Sequence, residues 1–147
     1  MAETIPAGPS GITPRAPELV GIVLVSHSDA LVRGLRELLL QVGGTTLAVA
    51  LAGGTDDGRL GTSYSRIADA ITSVDKGAGV VVLTDLGSAV LTARTVLADR
   101  SDTRPGAVLV DAPFVEGAVA AAVIAATGAD LATVVAAAEE ARHARKF

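Results

Sequence analysis

Apolar residues along this chain come in two alternating arrangements. One is the short unbroken run: Leu19 to Ser26 (LVGIVLVS), Thr45 to Leu51, Gly79 to Thr84 (GVVVLT) and Ala107 to Asp111 (AVLVD). Runs of this length, rich in Val and Leu, read as strands covered on both faces. The other is helical spacing. Ser28 to Val42 places Leu31, Leu35, Leu38 and Leu39 on one face, and Thr62 to Val74 turns Ile67, Ala70, Ile71 and Val74 inward. Gly87 to Ala98 predicts a third helix. A fourth runs from Pro113, in its first turn, to about Thr127, and a fifth from Asp130 to Arg145. Gly43-Gly44 ends the first helix and Gly128 separates the last two.

The β-α-β-α-β-α-β-α-α order predicts a single-domain α/β fold. Its sheet is mostly parallel and four-stranded, with room for one further edge strand. Helices cover both faces in the flavodoxin-like order 2-1-3-4. Residues 1–18, broken by Pro6, Pro9, Pro14 and Pro17, read as a flexible arm, and residues 19–147 as the folded domain. No internal repeat is apparent.

Composition narrows this picture. The 147 residues suit one core, and because half are hydrophobic but only 2% aromatic, that core must be aliphatic. There is no cysteine, which excludes disulfides, thiolate metal sites and a Cys nucleophile. A net charge of −4 with no basic stripe argues against a nucleic-acid groove. No apolar run is long enough to span a bilayer; Ala118 to Ala126 comes nearest and reads as a buried helix. The N-terminus lacks the apolar segment of a signal peptide, so the chain reads as a soluble cytoplasmic protein.

Open α/β sheets bind ligands beyond the carboxyl ends of their strands. Here those ends carry Ser26-His27-Ser28, the loop from Gly53 to Ser63, Asp85-Leu86-Gly87-Ser88, and Asp111. With strands 1 and 3 adjacent, His27 and Asp85 face one crevice. A carboxylate on one ring nitrogen fixes the tautomer and leaves the other nitrogen free as nucleophile, base or metal ligand. Ser28 fits the N-cap of the first helix. Ser88 starts the third helix, either as its cap or as a contact to an anion. The loop GGTDDGRLGTS has four glycines that permit close backbone approach or positive φ, but no phosphate-gripping Gly-Lys-Ser/Thr. Asp56 and Asp57 would repel an anion, Arg59 can offset them, and two adjacent acids are weak evidence for magnesium. Thr62 reads as the N-cap of the second helix in the plain solvated-turn reading of this loop. His143, among basic residues near the end of the last helix, is accounted for by the helix C-terminus. A Ser-His-Asp hydrolase ranks low, since no nucleophile elbow is present.

The segments GIVLVSHSDALVRGL, GGTDDGRLGTS, VVVLTDLGSAV and DAPFVEGAVAAAV resemble the mannose-type IIA family. They resemble in particular its branch that serves phosphotransferase-system-dependent dihydroxyacetone kinase. The His-Ser motif suits the whole family; the Gly53–Ser63 loop with Asp85-Leu86-Gly87-Ser88 is similar to that branch. The resemblance implies that His27 is the phosphoacceptor and Asp85 its orienting carboxylate. It implies that Ser28, Gly53, Gly54, Thr55, Asp56, Asp57, Arg59, Thr62, Ser63, Gly87 and Ser88 contact the phosphoryl group or a partner. The expected partners are the phosphocarrier protein HPr and the ADP-binding and dihydroxyacetone-binding subunits of the kinase, with a homodimer of the chain itself. No tightly bound cofactor and no metal are expected; the phosphoryl group is carried covalently. Arg94 on the third helix departs from the more acidic character expected there. The alternatives are a IIA domain feeding a sugar-transport IIB partner, and a regulatory α/β binding module whose histidine is never phosphorylated.

Overall fold

A computed structural model of the chain describes residues 18–100 and 105–147. The predicted arm therefore lies outside the described residues, apart from exposed Glu18. In chain order the elements are β1 (Gly21–Ser26), α1 (Asp29–Gly43), β2 (Val49–Gly53), α2 (Tyr64–Val74), β3 (Val80–Thr84), α3 (Gly87–Asp99), β4 (Ala107–Leu109), α4 (Phe114–Ala125) and α5 (Leu131–Glu140). The four strands form one parallel sheet in the order β2-β1-β3-β4, as the alternation predicts. Among the described residues there is no further edge strand.

Strand β1 lies at the centre, and all six of its residues are buried. Because strand side chains alternate between faces, β1 feeds two cores. Ile22 and Leu24 pack with Val32, Leu35 and Leu39 of α1, the alanines of α4, and Val134 and Ala138 of α5. Val23 and Val25 pack on the other face, with Ile67, Ala70, Ile71 and Val74 of α2 and Ala89, Ala93 and Val96 of α3. Each fully buried Val, Leu or Ile contributes about 1.5–3 kcal/mol. Small alanines on α3 and α4 let those helices approach an aliphatic sheet without aromatic spacers.

Several sequence expectations shift. The second strand starts at Val49, not Thr45, and runs on to Gly53. Thr45-Thr46 are β-branched but are needed for the turn out of α1, which closes through Leu47 N–H to the Gly44 carbonyl and buries Leu47. Leu31 and Leu38 stand 43% and 41% exposed rather than inward. The buried stripe runs Val32, Leu35 and Leu39, and both leucines sit one helical step to its side. Helix α2 is capped by Ser63, whose Oγ accepts from the Arg66 N–H, and not by Thr62. Strand β4 stops at Leu109, leaving Asp111 beyond the sheet. Helix α5 ends at Glu140 and tightens into a 3-10 turn over Ala141–His143, so His143 is exposed on that turn rather than inside the helix. No helix of the described residues is long and apolar enough to cross a membrane.

Candidate functional site at the carboxyl edge of the sheet

The site begins with a buried hydroxyl. Ser26 is the last residue of β1 and fully buried, so its polar atom must find partners. It accepts from the Ser28 N–H at 3.0 Å and donates to Asp85 Oδ2 at 2.8 Å. Register places Val25 beside Thr84, so the first residues past β1 and β3, His27 and Asp85, are neighbours. Asp85 N–H in turn donates to the Val25 carbonyl at 3.1 Å.

Asp85 accepts four hydrogen bonds. Its Oδ2 takes the His27 backbone N–H at 3.0 Å as well as the Ser26 hydroxyl. Its Oδ1 takes His27 Nδ1 at 3.0 Å and the Leu86 N–H at 2.7 Å. Burial pushes the Asp85 carboxyl up, but the His27 backbone N–H, the Ser26 hydroxyl, the His27 ring and the Leu86 N–H together hold it below the usual carboxylate range. An ionised carboxylate only accepts, so His27 Nδ1 carries the proton and donates. In the neutral ring Nε2 is then unprotonated, and the Ser88 hydroxyl donates to it at 2.5 Å. The imidazole is thus fixed at both nitrogens with about a quarter of its surface open to solvent.

Ser28 caps α1 as predicted: its Oγ accepts from the Leu31 N–H at 3.2 Å. Ser88 is not a cap. Leu86 occupies the N-cap of α3 without a side-chain bond, so the Ser88 hydroxyl is free for His27. Gly87 stands beside it in the first turn of α3 with open space where a Cβ would be.

The glycine-rich loop supports His27 through its ends. Gly54 N–H donates to the Ser26 carbonyl and Gly61 N–H to the His27 carbonyl, each at 3.0 Å. Gly53 must lack a side chain, since a Cβ there would lie 2.5 Å from Val32 Cγ2 and 2.7 Å from the Asp29 Cα. Gly54 adopts φ +75°, the left-handed region glycine favours. The polar side chains of the loop turn elsewhere. Arg59 pairs with Asp57 and, with Thr55, holds that carboxyl below its usual range. Asp56 accepts from Ser63 and Ser65 and pairs with Arg66 at 3.6 Å. The Thr62 and Thr92 hydroxyls meet at 2.8 Å, tying the loop to α3. Among the described residues no hydrogen bond or ion pair joins Thr55, Asp56, Asp57, Arg59, Thr62 or Ser63 to His27, and no group of three or more His, Asp or Glu could hold a metal ion. The structure therefore splits the predicted set into a histidine centre (His27, Asp85, Ser88) and a scaffold loop.

Sequence reasoning placed Ser26 at the strand end without giving it a role, and it missed Arg66. Ser26 was legible as a polar residue closing an otherwise unbroken apolar strand. Arg66 gave no signal, because its role depends on where the loop folds back.

The sequence model for the EIIA-man family, described as "PTS system fructose IIA component", matches residues 21–135. The chain is 42% identical over 107 residues to the phosphoryl donor subunit DhaM of PEP-dependent dihydroxyacetone kinase 2 from Listeria innocua, covering 71% of this chain and 85% of that one. The chain belongs to the EIIA-man family, in its DhaM branch. The DhaM subunit named for PTS-dependent dihydroxyacetone kinase in Lactococcus lactis is 32% identical over 74% of this chain and 85% of its own length. The Escherichia coli DhaM is 40% identical over 77% of this chain, which spans only 25% of that longer protein. A crystal structure of a protein of unknown function, EF1359, superposes with a TM-score of 0.78 at 34% identity, over 88% of this chain and 98% of its own. The EIIA-man match begins at the first residue of β1 and so takes in His27, the loop, Asp85 and Ser88 within one span.

Proposed function

We propose that this protein is a phosphohistidine carrier that takes a phosphoryl group from phospho-HPr onto Nε2 of His27 and passes it to ADP. The ADP sits in the nucleotide-binding subunit of dihydroxyacetone kinase, and the ATP formed phosphorylates dihydroxyacetone on a third subunit. The observation that carries this reading is the two-sided restraint on one imidazole, with Asp85 on Nδ1 and a single hydroxyl donor, Ser88, on Nε2.

In the incoming step the Nε2 lone pair attacks phosphorus, and the phosphorus–nitrogen bond to the donor's histidine breaks. The donor's ring keeps the bonding pair. The His27 ring now carries positive charge, which ionised Asp85 stabilises through the Nδ1 proton. That proton never leaves. The Ser88 hydroxyl, displaced from Nε2, turns to a phosphoryl oxygen. In the outgoing step a β-phosphate oxygen of ADP attacks, and the bond to Nε2 breaks with its pair returning to the ring. Such transfers need positioning and charge stabilisation more than covalent assistance, and a ring fastened to the end of a fully buried strand supplies the first.

A second observation supports protein partners rather than a free small substrate. Leu60, Leu86 and Leu91 stand 79%, 62% and 65% exposed around this edge. Large apolar side chains bordering a polar reactive centre are the composition of a protein docking surface, whose contacts exclude water from the transfer. The names of the relatives, phosphoryl donor subunits of a dihydroxyacetone kinase, support that destination for the phosphoryl group.

The test is incubation with enzyme I, HPr and labelled phosphoenolpyruvate. Acid-labile label on the wild type and none on His27→Ala is the expected result; no label on either overturns the carrier reading in favour of a binding module. Label that then passes to a sugar-transport IIB partner, and not to the nucleotide subunit, would redirect the carrier to the sugar transport that the family description names.

A further inference from the structure

Beside the histidine, between the carboxyl ends of β3 and β4, lies a cleft of about 420 Å³ walled by Asp85, Leu86, Gly87, Val90, Arg94, Asp111 and apolar neighbours. Its two carboxylates differ: Asp85 is saturated with donors, and Asp111 is exposed with a single long ion pair. Asp85 spends both oxygens on four donors. Asp111 lies 3.5 Å from Arg142, whose Nη2 also donates to the Asp111 carbonyl. Arg94 is the only cation on the wall, and among the described residues it makes no ion pair. The other arginines that border this edge, Arg33, Arg59, Arg66 and Arg142, are each matched to an aspartate. Helical side chains lean toward the N-terminus of their helix, so Arg94, on the second turn of α3, reaches back toward the sheet edge where His27 stands.

We propose that Arg94 and the cleft it walls receive an anionic phosphate of the phosphoryl acceptor, a nucleoside diphosphate presented by the partner subunit. This rests on the carrier reading above. Its physical basis is an asymmetry between the two transfers. Loading moves a phosphoryl group from one imidazole to another, so the nucleophile, His27, is neutral. Discharge brings a polyanionic diphosphate against an anionic phosphoryl group, and like charges resist that approach. A cation beside the path lowers this barrier for discharge and does little for loading. No other side chain on the cleft wall is cationic, leaving only the backbone N–H groups at the start of α3 beside it, and the histidine itself is in contact only with a carboxylate, a hydroxyl and backbone.

The experiment separates the two steps in the full-length protein. The wild type, Arg94→Ala and Arg94→Lys are loaded from labelled phosphoenolpyruvate through enzyme I and HPr. Each is then discharged in a single turnover onto the nucleotide subunit with ADP. An arginine in contact with the transferring group is worth 10³–10⁵; one on α3 that is open to water is expected to be worth up to about fivefold. Arg94→Ala should therefore discharge about fivefold more slowly while loading within about twofold of the wild type. Lysine should restore most of the loss, and added salt should slow wild-type discharge more than that of Arg94→Ala. Discharge of Arg94→Ala at the wild-type rate, an equal fall in both steps, or lysine no better than alanine would overturn the proposal. A wild type that takes no label, or never discharges to the nucleotide subunit, would instead overturn the carrier reading, so the two failures are distinct.

Discussion

Replacing Asp85 with asparagine keeps the size of the side chain and removes one of its acceptors. The carboxylate accepts from His27 N, Ser26 Oγ, His27 Nδ1 and Leu86 N at 2.7–3.0 Å. An amide has one acceptor oxygen and one donor group. With its oxygen toward Ser26 and the His27 N–H, its NH₂ faces His27 Nδ1 and the Leu86 N–H. The Leu86 donor is then orphaned, and the ring is driven to the opposite tautomer, with a proton on Nε2. In the other orientation the His27 backbone N–H loses its acceptor. An unmet donor costs about 1–3 kcal/mol and a hydrogen bond to a charge contributes about 1.5–3 kcal/mol. For this half-buried cluster the expected loss of stability is about 2–3 kcal/mol. Restoring the productive tautomer costs a similar amount, which slows loading of His27 roughly 10²-fold. Denaturant midpoints measure the first quantity, and single-turnover loading from phospho-HPr the second. Asp85→Asn that loads within threefold of the wild type would refute the tautomer argument, and an unchanged midpoint would refute the hydrogen-bond accounting.

Three further outcomes follow from the same geometry. Ser88→Ala removes the one hydroxyl on Nε2 but leaves the ring fixed by Asp85, so loading should slow by about tenfold or less, well short of Asp85→Asn; the same single-turnover assay reads it. Gly53→Ala forces a Cβ against Val32 and the Asp29 and Ser28 backbone, an overpacking cost of about 1–3 kcal/mol that thermal unfolding should register as a drop of several degrees. Asp85, with its pKa depressed in the folded state, contributes stability that is present above the unfolded value of about 3.9 and is lost as pH falls through the folded one. Acid titration of the denaturant midpoint should show part of the loss below about pH 4 in the wild type and lack that part in Asp85→Asn.

The sheet was legible because β1 and β3 are apolar without interruption, and only strands covered on both faces read that way. The pairing of His27 with Asp85 followed from strand order alone, since both stand one residue beyond neighbouring strands. What stayed hidden depends on turns. Thr45 and Thr46 look like strand residues, but their propensity yields to the reversal that follows a glycine-ended helix. Ser88 reads either as a cap or as a contact to an anion until the helix start is fixed at Gly87, which leaves its hydroxyl for the ring of His27. The loop's acids sit in the same eleven-residue segment as the glycines, yet Asp56 and Asp57 face Arg66 and Arg59 while the glycine backbone faces His27. Spacing along the chain does not separate backbone roles from side-chain roles in a loop.

A carrier must bind its cargo and then release it, and the site's chemistry is divided accordingly under the proposed function. Asp85 stabilises the positive ring formed on phosphorylation, which favours loading. The phosphoryl oxygens, by contrast, would find one neutral hydroxyl and no cation in contact with the histidine, since Arg59 and Arg66 are bound to the loop's own aspartates. A guanidinium clamp at Nε2 would lower the energy of the loaded state and so slow its discharge. Positive charge set apart from the ring, as Arg94 is, acts on the incoming acceptor more than on the resting cargo. On the proposed function the internal pairing of the loop acids has a consequence for turnover: it keeps Arg59 and Arg66 from becoming a trap for the phosphoryl group.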